Sequence, residues 1–528
     1  MSARFDAIVV GAGVNGLTAA TLLAKSGLQV LLLERGEALG GQSAAVEFAP
    51  GFRMAPLAAD PGWAPAAIVE GLGLGAIEQA DEDAGITVVN EDGQCLSIPH
   101  HVGRATEAIR ARSASDAAKW PVFTQRLWKL AGFLETLYQT PVPDIDARSL
   151  DDLLPMLGVG QKFRALGRVD MIELLRTLPM SVWELADDWF ETPALKAGIA
   201  ATGIQDLQQG PRSGGTGFVL LHHLVGAPHG SVRGRRPWRA SPAAYSSALE
   251  SAARRIGKVT IRAGAKVAKL RIADEAVQGV VLENGETFDA TAVISTADPA
   301  QTFLEWIDPV WLDPEFVHAV QNIRYRGCTA FVLYALEHAP TIPGLPAEAF
   351  AGVVSLSSRV EAIERAADAA KYGEISESPH IELSMPTAVW PDLAPSSKYI
   401  LVARVQYAPY RLRHGAWDAA RREALAETVT GAIGRVSPDF ASRVIHRAAW
   451  SPRDLEERYG LHQGAVSHGE MALDQILFMR PVAGWGKHRT PIDGLYLGGA
   501  GAHPGPGVLG GPGWLAAKRL LKDRKART

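Results

Sequence analysis

The sequence predicts an α/β protein built on a parallel sheet covered on both faces. Three stretches carry that expectation. An apolar run ends in a glycine-rich turn near the N-terminus, a helix, hairpin and strand series crosses residues 240–300, and a strand runs into a glycine loop and helix near the C-terminus. Of the 528 residues, 47% are hydrophobic and 21% charged, the balance of a folded chain with a large core. Wholesale disorder is excluded. At about 150 residues per domain, the length predicts roughly two to four domains.

The first element is Ala7-Ile8-Val9-Val10, an unbroken apolar run suited to a strand buried on both faces. It stops at Gly11-Ala12-Gly13-Val14-Asn15-Gly16. Leu17, Ala20, Leu23 and Ala24 then recur at helical spacing, and Gly27 ends the helix. Val30-Leu33 reads as a second strand closed by Glu34. Each part has a physical task in dinucleotide binding. Gly11 permits the tight turn, Gly13 lets the backbone approach a pyrophosphate, and Gly16 lets helix and strand pack closely. The helix N-terminus offers unpaired N–H groups to phosphates. Glu34 accepts hydrogen bonds from a ribose and repels a 2′-phosphate.

A second glycine pair, Gly40-Gly41, follows in Arg35-Gly36-Glu37-Ala38-Leu39-Gly40-Gly41-Gln42-Ser43. It reads either as an ordinary loop or as a close approach to the diphosphate of FAD, since the arrangement resembles the extended fingerprint of two-domain flavoproteins. No second strand–GxGxxG–helix unit follows, which argues against a separate NAD(P)H domain. At the other end, Gly494-Leu495-Tyr496-Leu497-Gly498-Gly499-Ala500-Gly501-Ala502-His503-Pro504-Gly505-Pro506-Gly507 predicts a short strand and a glycine–proline loop. A helix starts near Gly511 to Gly513. Such a loop feeding a helix N-terminus accommodates the negative charge of a reduced flavin.

With these two motifs, GAGVNGLTAATLLAKSGLQVLLLER…GG and GLYLGGAGAHPGPGV, the sequence resembles the phytoene desaturase-like FAD-dependent oxidoreductases. The stretch from Ser451-Pro452-Arg453-Asp454 to LDQILFMRP resembles the branch called pyridine nucleotide-disulfide oxidoreductase domain-containing protein 2. The disulfide in that name has no counterpart here, because the two cysteines, Cys95 and Cys328, form no CxxC pair. The resemblance implies a discontinuous Rossmann-like FAD-binding domain (1–75, 236–304 and 451–528). An interwoven α+β substrate domain would occupy 76–235 and 305–450, an amine oxidase/phytoene desaturase-like architecture. It implies FAD contacts from Gly11, Gly13, Gly16, Glu34, Arg35, Gly40, Gly41 and Gln42. Val267 would meet the adenine, and Gly501, Ala502, Gly507 and Val508 would surround the flavin.

The residues between fit this frame. A helix is expected at 245–256, a strand at 259–262, a hairpin at 267–272 and 277–282, and a buried strand at 292–296. Segment 76–235 reads as mostly helical, as at 122–137 and 181–190. Segment 305–450 mixes strands at 328–336, 381–385 and 399–407 with one long helix at 417–433. One departure stands out. Many family members carry a Gly-Gly-Met-Gly-like loop just before the helix that re-enters the FAD domain. Here the chain reads Arg235-Arg236-Pro237-Trp238-Arg239-Ala240-Ser241-Pro242, which puts the local flavin geometry in doubt. With Arg233, this cluster either holds an anionic substrate group or forms a solvated loop, the reading preferred here.

The adjacent His222 and His223 point to different helix faces, so core packing is expected rather than a metal site. His503, in the C-terminal glycine loop, is the catalytic candidate; the alternative is that it caps backbone groups. His468 and Glu470 are weaker candidates. No Ser-His-Asp arrangement or HExxH occurs, so hydrolase chemistry has no support. Lysine plus arginine is 53 and aspartate plus glutamate 57, a formal charge of −4, which gives no global reason to bind nucleic acid. The basic tail at Lys518, Arg519, Lys522, Arg524, Lys525 and Arg527 reads as complementing a helix end, with peripheral contact to an anionic membrane as the alternative. The chain shows no signal-peptide pattern and no run of about 18 apolar residues, so a cytoplasmic location is expected.

These readings predict an FAD-dependent oxidoreductase. It would take a hydride from a hydrophobic, isoprenoid-like or unsaturated small molecule and pass electrons to oxygen or a quinone. Two alternatives stay open: a redox-neutral isomerase or hydratase, and a flavin-binding interaction protein with little activity.

Overall fold

The computed structural model describes residues 4–58, 60, 62–81, 83–90, 93–142 and 150–527. Among these, strands form four sheets. At the centre of the nucleotide-binding part, Ala7–Val10 pairs in parallel with Val30–Leu33 on one side and Val293–Ser295 on the other. Val259–Arg262 and Leu495–Leu497 complete the edges of this five-stranded parallel sheet. Its strands thus come from both ends of the chain and from the middle.

Strand periodicity explains why the central strands are apolar throughout. Ala7, Val9, Val30 and Leu32 pack with Leu17, Leu249 and Ala516 from the helices Val14–Lys25, Pro242–Ile256 and Gly511–Arg527. The alternate residues Ile8, Val10, Leu31 and Leu33 pack on the opposite face with Leu270, Val280 and Phe303. Each fully buried aliphatic side chain contributes about 1.5–3 kcal/mol, so this sandwich anchors the glycine turns at its edge. The opposing layer is a four-stranded sheet containing the expected hairpin Val267–Ala273 and Ala276–Leu282.

The remaining part is organised by a seven-stranded sheet in the order Val444–Trp450, Thr329–Leu336, Tyr399–Gln406, His380–Ser384, Val353–Ser355, Ile86–Val89, Cys95–Ile98. The last two strands lie in a segment expected to be mostly helical. Helices Val360–Lys371 and Pro314–Gln321 likewise add to the single long helix expected in 305–450, which forms as Ala419–Val436. A four-residue apolar run such as Ile86–Val89 carries too little periodicity to declare itself. A helical layer covers one face of this sheet, led by the 26-residue helix Ala114–Gln139 and by Pro193–Gly203 and Thr216–His223. No helix of the described residues is long and apolar enough to cross a membrane.

Candidate functional site

A cavity of about 450 Å³ opens at the C-terminal edge of the parallel sheet. Strand Ala7–Val10 delivers Gly11 to it with φ +94°, a conformation that favours glycine. A Cβ on Gly16 would stand 1.8 Å from the Gly11 carbonyl oxygen, so only glycine lets helix and strand approach this closely. At Gly13 an added Cβ would meet only Gly41 Cα, at 3.8 Å, so a side chain there would extend into the gap between the two glycine turns. The turns are tied together by the Gly40 N–H, which donates to the Ala12 carbonyl at 2.9 Å. Helix Val14–Lys25 has no side-chain cap and no acidic residue in its first turn, leaving its N–H groups for phosphate oxygens.

Glu34 closes the second strand. Its carboxylate accepts from the Ala12 N–H at 2.8 Å and the Gly36 N–H at 2.9 Å, which fixes it at the cavity rim. Arg35 lines the same end and donates to the Glu457 carbonyl. Gln42 donates to the Val466 carbonyl at 3.0 Å. Val267 begins its strand just past Ala265, whose N–H donates to the Glu34 carbonyl at 2.7 Å, and Val267, Gly507 and Val508 all line the cavity. Unpaired polar atoms remain in the walls: Asn15 Oδ1 and His468 Nδ1 are buried and have no protein partner. Burial, helped by the nearby Arg480, lowers His468 to about 4, so its imidazole is neutral at pH 7. A slot with a glycine cradle, an uncapped helix end, a rim carboxylate and orphan polar groups fits FAD.

The structure leaves three expected contacts off this cavity. Gly16 acts through packing. Gly501 and Ala502 turn inward: a Cβ on Gly501 would meet Pro299 at 2.5 Å, and Ala502 is packed in the core. Ala500, Gly505 and Pro506 line the cavity from the same loop. His503 lines neither this cavity nor its neighbour. Its Nε2 lies 3.2 Å from both the Leu137 and Thr140 carbonyls, at the end of helix Ala114–Gln139. Burial lowers it to about 3, so the neutral ring donates to those carbonyls. The geometry matches the capping alternative and supplies no catalytic contact for His503.

Sequence reasoning missed Thr296, Gln301, Trp306, Arg458 and Tyr459, which also line the nucleotide cavity. Thr296, Gln301 and Trp306 carry no motif, Arg458 and Tyr459 stand unassigned within the 451–481 stretch, and all five arrive from elements far along the chain. The signal available for Thr296 was its position at the end of a buried strand.

A second cavity, about 260 Å³, adjoins the first; Gln42, Ser43, Val466, Pro506, Gly507 and Leu509 line both. Much of its wall is apolar, including Leu57, Phe331, Phe350, Leu383, Met385 and Trp390. Charged groups form another part. Arg233 grips Glu382 through two hydrogen bonds of 3.0 and 2.6 Å. Arg404 bridges Glu382 and Asp206, and Arg235 pairs with Asp60 at 3.1 Å. Burial raises the Glu382 carboxyl, but Arg233 and Arg404 overcome it and bring it to about 2.

The expected solvated loop is therefore corrected for Arg233 and Arg235, whose side chains are only 6% and 7% exposed. Their carboxylate partners stand 149 and 175 residues away, beyond the reach of local pattern. No residue of 235–242 lines the nucleotide cavity, so the altered loop bears on the second cavity instead. His222 bonds Tyr138 in the core, while His223 reaches the second cavity. Among the described residues no cluster of ligating side chains suits a metal ion.

Comparison with known proteins defines the class. The chain belongs to the flavin-containing amine oxidoreductase family, which matches residues 218–508, and residues 9–60 match an NAD(P)-binding Rossmann-like domain. It is similar to pyridine nucleotide-disulfide oxidoreductase domain-containing protein 2 of Rattus norvegicus, 31% identical over 99% of this chain and 94% of the relative. A limonene dehydrogenase component of Castellaniella defragrans is 24% identical, over 98% of this chain and 94% of that one. A phytoene desaturase of Neurospora crassa is 23% identical, over 95% and 82%. Among solved structures, a redesigned putrescine oxidase superposes with a TM-score of 0.59 at 15% identity, covering 99% of this chain and 100% of that one. The protein is an FAD-dependent oxidoreductase of the phytoene desaturase and amine oxidase type.

Proposed function

We propose that the protein oxidises a neutral, largely apolar small molecule, of isoprenoid-like or unsaturated character, held in the second cavity. When bound, FAD supplies the two-electron acceptor for a hydride equivalent leaving a substrate carbon. The carrying observation is the second cavity itself: apolar walls beside the nucleotide site, with Asp60, Asp206 and Glu382 each engaged by arginine. An ammonium substrate needs a free carboxylate partner, and these three are already neutralised. Apolar contacts orient the substrate, and the shared wall at Gln42, Ser43 and Gly507 brings it against the nucleotide slot, at a part of its lining that excludes Glu34. No lining histidine or thiol is required as a nucleophile. Oxygen or a quinone is the proposed final acceptor.

The test is anaerobic mixing of the holoprotein with matched compounds. Unsaturated apolar hydrocarbons or their alcohols should bleach the flavin absorbance, and primary amines of equal length should not. Bleaching by the amines alone would overturn the reading.

A further inference from the structure

Arg480 is 2% exposed and stands in the LDQILFMRP stretch, to which no role has been assigned above. Its guanidinium donates to the carbonyls of Ser467, His468, Gly469, Glu470, Gln475 and Ala500, with both Nε and Nη2 reaching Ala500, at 2.9 and 2.7 Å. No carboxylate of the described residues pairs with it. Every other buried arginine described above has such a partner. Removing an unneutralised cation from water is expensive, and six carbonyl dipoles offset that penalty only in part. Burial lowers its pKa, to about 10, so the charge persists at neutral pH.

The position of this charge gives it a use. His468, Ala500 and Gly505 line the nucleotide cavity, and Arg480 sits directly behind them; its Nε lies 3.6 Å from where a Gly505 Cβ would stand. This is the end adjoining the second cavity, whose lining shares Pro506 and Gly507 with the nucleotide cavity and excludes Glu34. On the functional reading above, the flavin ring occupies that end. An oxidised ring that takes up a hydride equivalent gains two electrons and one proton, hence one negative charge. A fixed cation one residue layer away, in a medium of low dielectric, favours that product.

We infer that Arg480 is a positioning residue whose buried, unneutralised charge raises the electron affinity of bound FAD while its carbonyl bonds lock the two loops that wall the ring. The charge acts through the loop wall, without contact with substrate.

Sulfite is the probe, because it adds to oxidised flavin and leaves an anionic adduct whose affinity reports positive charge nearby. Sulfite binding and the midpoint potential are measured on flavin-loaded wild type, Arg480→Lys and Arg480→Gln at pH 7. Arg480→Gln should bind sulfite at least about tenfold more weakly and show a lower potential, while Arg480→Lys stays within about threefold of wild type. Equal losses in both variants, or unchanged affinity in Arg480→Gln, would reduce Arg480 to a loop tie. Should Arg480→Gln fail to fold, Arg480→Lys decides alone. Its sulfite affinity should fall more steeply than the wild type's between pH 7 and 9, as the lysine loses its proton while Arg480, lowered only to about 10, keeps most of its charge. Parallel profiles would overturn the inference. If the potential shifts as expected while no apolar compound bleaches the flavin, the substrate reading fails and this one stands.

Discussion

Glu34→Ala offers the sharpest quantitative test of the nucleotide site. The substitution removes two charge-assisted hydrogen bonds, from the Ala12 and Gly36 N–H groups at 2.8 and 2.9 Å, and the ribose acceptor with them. Hydrogen bonds to a charged group contribute about 1.5–3 kcal/mol each. Glu34 is half-buried, and water replaces part of what is lost, so the net penalty on FAD binding should be about 1.4–2.8 kcal/mol, or roughly 10–100-fold. The assay is titration of apoprotein with FAD, followed by quenching of FAD fluorescence. Glu34→Gln keeps one carbonyl oxygen and should fall between wild type and Glu34→Ala. Affinity within about twofold of wild type for Glu34→Ala would show that the carboxylate holds only the turn and would remove it from the ribose.

Other outcomes follow from the same geometry. Gly13→Trp should fold, by circular dichroism, yet purify without yellow colour, because the added side chain fills the gap facing Gly41; a fully flavin-loaded variant would contradict the phosphate assignment. His503→Ala should lower unfolding stability by about 1–3 kcal/mol through loss of a buried cap on the Leu137 and Thr140 carbonyls. Turnover per bound flavin should be retained, and a large loss of turnover would restore a catalytic role. Acid should destabilise the fold in two stages, read as melting temperature against pH. His380, His468 and His488 are held neutral at about 4 by burial, whereas an unfolded histidine binds a proton below about 6.5, so stability declines as pH falls from 6.5 towards 4. Glu382, held at about 2 by its arginines, contributes fully above the ordinary 4.5 and loses that contribution as pH falls through 2. A melting temperature unchanged between pH 7 and 5 would refute the first stage.

The parts of the fold that were legible in the sequence are those whose chemistry is local. Gly11, Gly13 and Gly16 sit within six residues of one strand–turn–helix unit, where Gly11 takes φ +94° and Gly16 packs against the Gly11 carbonyl. The central strands of the parallel sheet announced themselves because burial on both faces leaves them apolar apart from Ser295. What stayed hidden depends on partners distant in the chain. The short strands Ile86–Val89 and Cys95–Ile98 become strands by joining a sheet whose other members lie far along the chain, Ile86–Val89 pairing with Val353–Ser355. Arg233 and Arg235 resemble surface charges until Glu382 and Asp60 are brought to them. His503 was visible as a histidine in a glycine loop, but the helix end it caps lies 363–366 residues earlier. Arg480 stood in the quoted LDQILFMRP stretch, but its role stayed hidden, since its partners are backbone carbonyls, which every sequence supplies.

The central claim is that FAD bridges the two ends of the chain with its ring at the wall between the cavities. Electron density for the crystallised holoprotein is the direct measurement. The account predicts the ribose at Glu34, the diphosphate between Gly13 and Gly41, and the ring against Ala500 to Gly507, facing the apolar cavity. A ring directed towards solvent, or walled off from Phe331 and Met385, would contradict it.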